Sequence, residues 1–327
     1  MIIDKMGKQH IEDAAKIISQ NYRQELKYVP SLPNKDFYDY FCKVISEMIE
    51  EQYCIVAVQN NKLIGFLSGL PINSLFGLHR GVFCDIYAHG VIGDKNDIYQ
   101  RLYEVIYEIW VRNGCLTHAI SIFAHDKETV NTWFHLGFGN RCIDAMRPLE
   151  DIIEVNKNQY KIRLATESDA DVLLPLYIKH DLYYSNAPLF MPKKKISTIS
   201  DVKEGFKSKD TQSWVAFEND KPIAMASCRK GGEFPFITEE EKTVNLCGAF
   251  VLKEARGKGV GASLLKVIIQ WAKSNGYERL GVDYESFNRS GSRFWEKHFT
   301  PFVYSMCRRI DENILWANAD RYKGIYI

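Results

Sequence analysis

Nowhere in the 327 residues is there an apolar run that approaches the ~20 residues needed to cross a bilayer; runs such as Leu173–Leu174 and Val267–Ile269 are short. The N-terminal MIIDKMGKQH carries charge almost from its start and lacks the apolar stretch of a secretory signal. Eight cysteines are scattered without a CxxC pair, which argues against a zinc site or disulfide framework and for reduced thiols in apolar surroundings. Neither sign of charge is in surplus: 42 Lys plus Arg face 41 Asp plus Glu, for a net charge of +1. A chain without a basic excess is poorly equipped to neutralise the phosphates of a nucleic acid. These absences predict a cytoplasmic protein with no membrane, nucleic-acid or metal partner. The composition, 46% hydrophobic and 25% charged, excludes disorder over most of the length. At ~150 residues per domain it leaves room for roughly two cores.

What is present is a repeat. VAVQNNKLIGFLSG at 56–69 parallels VAFENDKPIAMASC at 215–228, and VIYEIWVRNGC at 105–115 parallels VIIQWAKSNGY at 267–277. WFHLGF at 133–138 parallels FWEKHF at 294–299, and HIEDAAKII near the start resembles SDADVLLPL from Ser168. The first pair reads as a strand, an Asn-containing turn and a second strand; the second reads as an amphipathic helix stopped by Asn-Gly. Four matches in one order, all displaced by about 160 residues, predict two copies of a whole domain rather than a solenoid. The expected ranges are 1–152 and 153–327, divided in the polar stretch Glu154–Gln159. A hairpin followed by a strand, helix and strand in each copy predicts an α/β fold with a mixed, partly antiparallel sheet.

The most specific local signal lies at 244–272, VNLCGAFVLKEARGKGVGASLLKVIIQWA. A strand from Val244 to Val251 runs through Arg256-Gly257-Lys258-Gly259-Val260-Gly261 straight into a long helix. Alternate glycines let successive backbone amides turn toward one point, and the positive end of the helix faces the same point, which makes a cradle for a pyrophosphate. Arg256 and Lys258 add positive charge. The nucleotide P-loop is excluded because Gly261 is followed by Ala262-Ser263 rather than Lys-Ser/Thr. A dinucleotide fingerprint is excluded by the glycine spacing and by the loop's late position in its domain.

The pattern resembles the acyl-CoA signature of the GNAT acetyltransferase superfamily, in which Arg or Gln is followed, after two residues, by Gly-x-Gly. The helix from Ala262, the strand Leu280–Tyr284, Asn288 and the FWEKHF segment follow in the family's order. This resemblance covers the chain from Tyr160 onward, and the first half through the repeat. It implies two tandem GNAT-like domains. In the second, the backbone amides of Gly257, Lys258, Gly259, Gly261 and Ala262, with Arg256 and Val260 in the same loop, would hold acetyl-CoA. The strand end Phe250-Val251 would pair with the pantetheine arm and offer an N–H to the thioester carbonyl. Asn288 would contact pantetheine, cap the following helix, or do both. In the first half Asp94, Asp97 and Tyr99 occupy the places of Arg256, Gly259 and Gly261. Two carboxylates there would repel a pyrophosphate, so that copy is expected to lack the acyl-CoA site. His79, Arg80 and His89 in this half read as ordinary surface or core residues.

Acetyl transfer to an amine requires removal of a proton from an ammonium of pKa around 10. Many members of the family protonate the departing thiolate with a Tyr, but here that place holds Trp295, and His298 stands where a Gly is usual. The strand end Asp283-Tyr284-Glu285 supplies the nearest titratable groups, with Glu285 as candidate base and Tyr284 as candidate acid. Cys247, on the preceding strand, reads as a buried structural thiol in preference to an acyl-carrying nucleophile. The aromatic segment 180–192 and the lysines 193–195 would overhang the acceptor. The resemblance thus implies an N-acetyltransferase acting directly between acetyl-CoA and the amine of a small molecule or peptide; self-association into a homodimer stays open. The alternative is a non-catalytic acyl-CoA sensor, which Trp295 favours.

Overall fold

Two β-hairpins, one in each half, close on paired Asn or Asn-Asp residues. The computed structural model describes residues 1–152, 160–232 and 234–314; the expected boundary at 154–159 lies outside them. The first half runs β1 (Ile2–Lys5), α1 (Ile11–Tyr28), α2 (Tyr38–Glu51), β2 (Cys54–Gln59), β3 (Lys62–Ser68), β4 (Leu70–Ile72), β5 (Gly81–Cys84), β6 (His89–Val91), α3 (Lys95–Arg112), β7 (Thr117–Phe123), α4 (Lys127–His135) and β8 (Gly139–Pro148). The second runs β9 (Lys161–Leu164), α5 (Ala170–Ser185), α6 (Ile199–Lys207), β10 (Thr211–Glu218), β11 (Lys221–Arg229), α7 (Pro235–Thr238), β12 (Thr243–Val251), α8 (Val260–Ser274), β13 (Arg279–Glu285), α9 (Arg289–His298) and β14 (Thr300–Arg309).

The halves repeat the same local devices. Asn60 and Asn61 join β2 to β3 at φ 52° and 58°, and Asn219 and Asp220 join β10 to β11 at 49° and 59°. Positive φ at both turn positions gives the twist that suits a two-residue hairpin, and Asn and Asp tolerate it. Each hairpin carries a register shift at the matching place, Ala57/Val58 and Ala216/Phe217. The Asn-Gly stops act as expected. At the end of α3 Cys115 N–H reaches Trp110 O at 3.0 Å; at the end of α8 Tyr277 N–H reaches Ala272 O at 3.1 Å. In both cases the intervening glycine adopts the left-handed conformation that ends a helix.

The chain forms two compact units, and neither is a continuous stretch. One comprises Met1–Pro30, Asn34–Ile143 and the chain from Pro301; the other comprises Ser31–Pro33 and Asp144–Thr300. The compact units therefore do not coincide with the ranges 1–152 and 153–327. In the first unit β1-β2-β3-β6 form one sheet and β4-β5-β7-β14 lie side by side in another, so the last strand of the chain closes this unit. It runs antiparallel to β7, from Val303↔Phe123 to Arg309↔Thr117. In the second unit the order is β13-β12-β11-β10-β9, with the Asp144–Pro148 end of β8 beside β13. The physical reason is that a strand edge exposes generic backbone donors and acceptors, so sequence likeness between copies does not fix which strand satisfies which edge.

The second unit positions the site. Val260, Leu264, Leu265, Ile268, Ile269 and Ala272 make a continuous apolar stripe on α8 that packs on the antiparallel part of the sheet. Trp271 on the same helix meets Trp214 of β10 edge to face at 5.0 Å. The helix is thereby held along its apolar stripe and near its C-terminal end, with its N-terminus following the end of β12.

Candidate acyl-CoA site

The parallel strands β12 and β13 are paired only from Thr243↔Arg279 to Leu246↔Val282. Beyond that point Cys247–Val251 and Asp283–Glu285 are no longer in register with one another. Part of the divergence begins at a bulge: opposite β11, Ser227 pairs with Gly248 and Cys228 with Leu246, leaving Cys247 as the extra residue. Two parallel strands that part midway leave an opening between them, at the end of which the glycine loop sits.

The loop has the backbone expected of it. Gly257 and Gly259 lie at φ +74° and +84°, where a side chain would be strained, and Gly259 is the residue preceding α8. Having no side chain, Gly259 gives the first turn no cap, so the amides of Val260, Gly261 and Ala262 remain available to a bound anion. Gly261 is required for a different reason: a Cβ there would stand 3.3 Å from the ring of Phe294. Tyr160 ties the loop back to the sheet by donating its hydroxyl to Lys258 O at 2.8 Å.

Arg256 has a further role. Its Nε donates to Val251 O at 3.0 Å, and its guanidinium lies 4.7 Å from the Tyr183 ring centroid and 5.7 Å from that of Phe250. The side chain therefore also pins the end of β12 to α5, while its positive charge, met among the described residues only by neutral partners, stays beside the loop.

The first unit places an internal ion pair where the second has its opening. Asp94 caps α3, accepting from Asp97 N–H at 3.1 Å. Lys95, in the place of Gly257, pairs at 2.5 Å with Asp126, in the place of Asn288. Two of its histidines are core residues: burial lowers the pKa of His89 and of His118 to about 4, and each ring nitrogen of both is hydrogen-bonded.

Helix α5 supplies groups that motif reading did not assign. His180, Tyr183 and Tyr184 share one face of it, three and four residues apart. Tyr183 donates to Asn288 Oδ1 at 2.6 Å and Tyr184 donates to Glu285 Oε2 at 2.9 Å. His180 packs edge-on against Phe250 and Tyr184, and burial, reinforced by Lys193, lowers its pKa to about 4, so it is neutral at pH 7. Asn288 caps α9 through Gly291 N–H at 3.2 Å, which realises the capping role. The richness of the 180–192 segment in Tyr and Phe was the only signal for these contacts.

The candidate acid requires correction. Tyr284 is 3% exposed and lies in the core, whereas Asp283 and Glu285 occupy the opposite, more open face of β13. Strand alternation cannot bring 284 and 285 to one reaction centre. Tyr184, not Tyr284, is the tyrosine that reaches Glu285. Burial, with Glu285 next, holds the Tyr184 hydroxyl protonated far above the usual tyrosine range. Asp283 has a raised pKa, through burial first and the Glu285 charge second. Cys247 is solvent-exposed, against expectation, because the bulge turns it out of the core. Crowding by the surrounding protein raises its thiol pKa, so it is not a ready thiolate.

A buried carboxylate anchors the chain after α5. Asp181 accepts from Ser197 N at 2.8 Å and Ser197 Oγ at 2.6 Å, and pairs with Lys193 at 2.5 Å. Burial alone would raise its pKa, but these partners together hold it below the usual range. Asp181→Ala is expected to cost about 2–3 kcal/mol in urea unfolding at pH 7, since it strands a buried donor set and an ion-pair partner. A depressed pKa contributes stability above the unfolded-state value that is lost as pH falls through the folded one. The gap between the two proteins should therefore shrink below about pH 4; a gap independent of pH would contradict this account.

Among the described residues no cluster of His, Cys, Asp or Glu is arranged to hold a metal ion, and no helix is long and apolar enough to span a membrane. Residues 180–299 match the family model of the acetyltransferase (GNAT) family. An uncharacterised N-acetyltransferase of Methanocaldococcus jannaschii is 28% identical over 138 residues, which are 42% of this chain and 56% of that protein; the chain thus spans little more than half of this relative. Two solved structures share the fold. A GCN5-related N-acetyltransferase from Sphaerobacter thermophilus superposes with TM-score 0.58 at 10% identity, covering 94% of this chain and 95% of its own. A GCN5-related glucosamine N-acetyltransferase region of a fungal multi-domain β-N-acetylglucosaminidase gives TM-score 0.54 at 13% identity, covering 94% of this chain and 38% of that one. The family match thus falls on the segment 180–299, which contains the glycine loop, α8, β13 and α9.

Proposed function

We propose that the protein transfers an acetyl group from acetyl-CoA to an amine in a ternary complex, with the second unit as the acetyl-CoA site. The observation that carries this reading is the uncapped start of α8, where Gly257 and Gly259 hold left-handed φ beside the point at which β12 and β13 part. In this reading the first-turn amides of α8 take the pyrophosphate and the pantetheine arm enters between the strands. The two carboxylates of β13, Asp283 and Glu285, are the proton acceptors for an incoming ammonium. The freed amine lone pair attacks the thioester carbonyl; an N–H at the Phe250–Val251 strand end meets the charge developing on its oxygen, and CoA leaves as the thiolate. The first unit, with Lys95 and Asp126 filling the matching place, takes no acyl-CoA. We also propose that the two halves arose by duplication, on the shared hairpin, register-shift and helix-stop devices.

Calorimetric titration of acetyl-CoA should give one site per chain, and incubation with an amine panel should release CoA. Two sites would contradict the assignment of the first unit, and no binding would overturn the transferase reading. Binding without turnover on any amine would favour the sensor that Trp295 suggests.

A further inference from the structure

We infer that the acceptor is an amine that also carries an anionic group, a carboxylate or a phosphate, and that Arg229 is the residue that holds that group. This inference rests on the transferase reading above and names its substrate class. A concavity of about 440 Å³ is lined by Arg229, Lys230, Gly231, Gly232 and Asp283, a volume suited to a small ligand. Arg229 ends β11 and Asp283 lies on β13, so the two charges come from strands on either side of β12, with Cys247 on that strand between them. The Arg229 charge acts on both Asp283 and Cys247, opposing the upward push of the surrounding protein on each.

Among the described residues, neither Arg229 nor Lys230 has an ion-pair partner. A carboxylate alone would recognise any ammonium group. A guanidinium in the same concavity disfavours diamines and polyamines, which would bring a second positive charge to it, and selects molecules with opposite charges at two ends. The planar fork of arginine matches a carboxylate or phosphate with two parallel hydrogen bonds. The Asp283 end then receives the ammonium, next to the opening between β12 and β13 where the thioester would lie.

The test compares free α-amino acids, aminoalkyl phosphates and the corresponding amines lacking either anion, in wild type, Arg229→Gln and Arg229→Lys. The readout is kcat/KM for CoA release, with acetyl-CoA titrated into each protein to verify that the donor site is intact. Wild type is expected to prefer at least one anionic class over its plain amine by about 10-fold to 100-fold. Whichever class is preferred identifies the anion. Arg229→Gln should collapse that ratio toward one, mainly through KM, and Arg229→Lys should restore part of it. Equal or better use of plain amines by wild type, or an unchanged ratio in Arg229→Gln, would overturn the inference.

If no amine turns over, the same compounds are titrated into CoA-loaded protein. Binding that weakens in Arg229→Gln supports the anchor, and failure of every anionic amine to bind overturns it. Failure of acetyl-CoA itself to bind counts against the donor reading; the same titration into unliganded protein then judges Arg229 separately.

Discussion

Replacing Gly259 by aspartate and Gly261 by tyrosine, the residues at the matching positions of the first half, is expected to remove acetyl-CoA binding. At φ +84° any residue with a Cβ is strained by about 1–2 kcal/mol. The Asp side chain would also cap the first turn as Asp94 caps α3, and would set a carboxylate against the pyrophosphate. At 261 the first side-chain carbon already stands 3.3 Å from Phe294, so a tyrosine must displace that ring or tilt α8. Together these effects should weaken affinity by at least about 100-fold, corresponding to roughly 3 kcal/mol. Calorimetry on the variant and on Gly259→Asp alone measures the loss. Retained wild-type affinity in the single variant would mean that the loop does not hold the phosphates.

Ending the chain at Thr300 is expected to unfold the first unit while leaving the second folded, although the deletion lies at the far end of the sequence. The lost strand β14 supplies Phe302, Val303 and Met306, all under 5% exposed. At about 1.5–3 kcal/mol for each buried apolar side chain, their removal approaches the whole stability of a typical domain. It also strips β7 of the partner that runs from Val303 to Arg309. Hydrogen exchange should find the amides of Thr117–Phe123 unprotected and those of Leu280–Val282 protected, with acetyl-CoA binding retained. Persistent protection of β7 would show that another strand closes that edge.

What the sequence made legible was local. A hairpin turn, a helix stop and a glycine loop each depend on the φ values that a few neighbouring residues can adopt, so Asn60-Asn61, Asn113-Gly114 and Gly257–Gly261 could be read without knowing the rest. The exchange of β14 was not legible because the partner of a strand edge is chosen by the whole sheet, and β8 and β14 follow equivalent helices. The fate of Tyr284 illustrates a subtler limit. Alternation separated it from Asp283 and Glu285 and set it on the face of Leu280 and Val282, an apolar row that already marked the core; the chemistry of a tyrosine hydroxyl near the loop outweighed that pattern. The second task of Arg256 was not legible, because one of the rings its guanidinium meets, Tyr183, lies 73 residues away along the chain. Arg229 gave no signal, since arginine at the end of a strand is ordinarily just solvated.

The placement of Asp144–Pro148 beside β13 bears on how this chain is inherited. A first half without a phosphate-ready loop would be expendable if each half folded from its own residues, and deletion of the corresponding gene segment would leave a shorter working protein. Here such a deletion would also take away the strand beside β13, while leaving β14 without the edge it covers. Each half therefore holds a strand that the other half's sheet uses, and deleting either half is expected to cost the remaining one its closing strand.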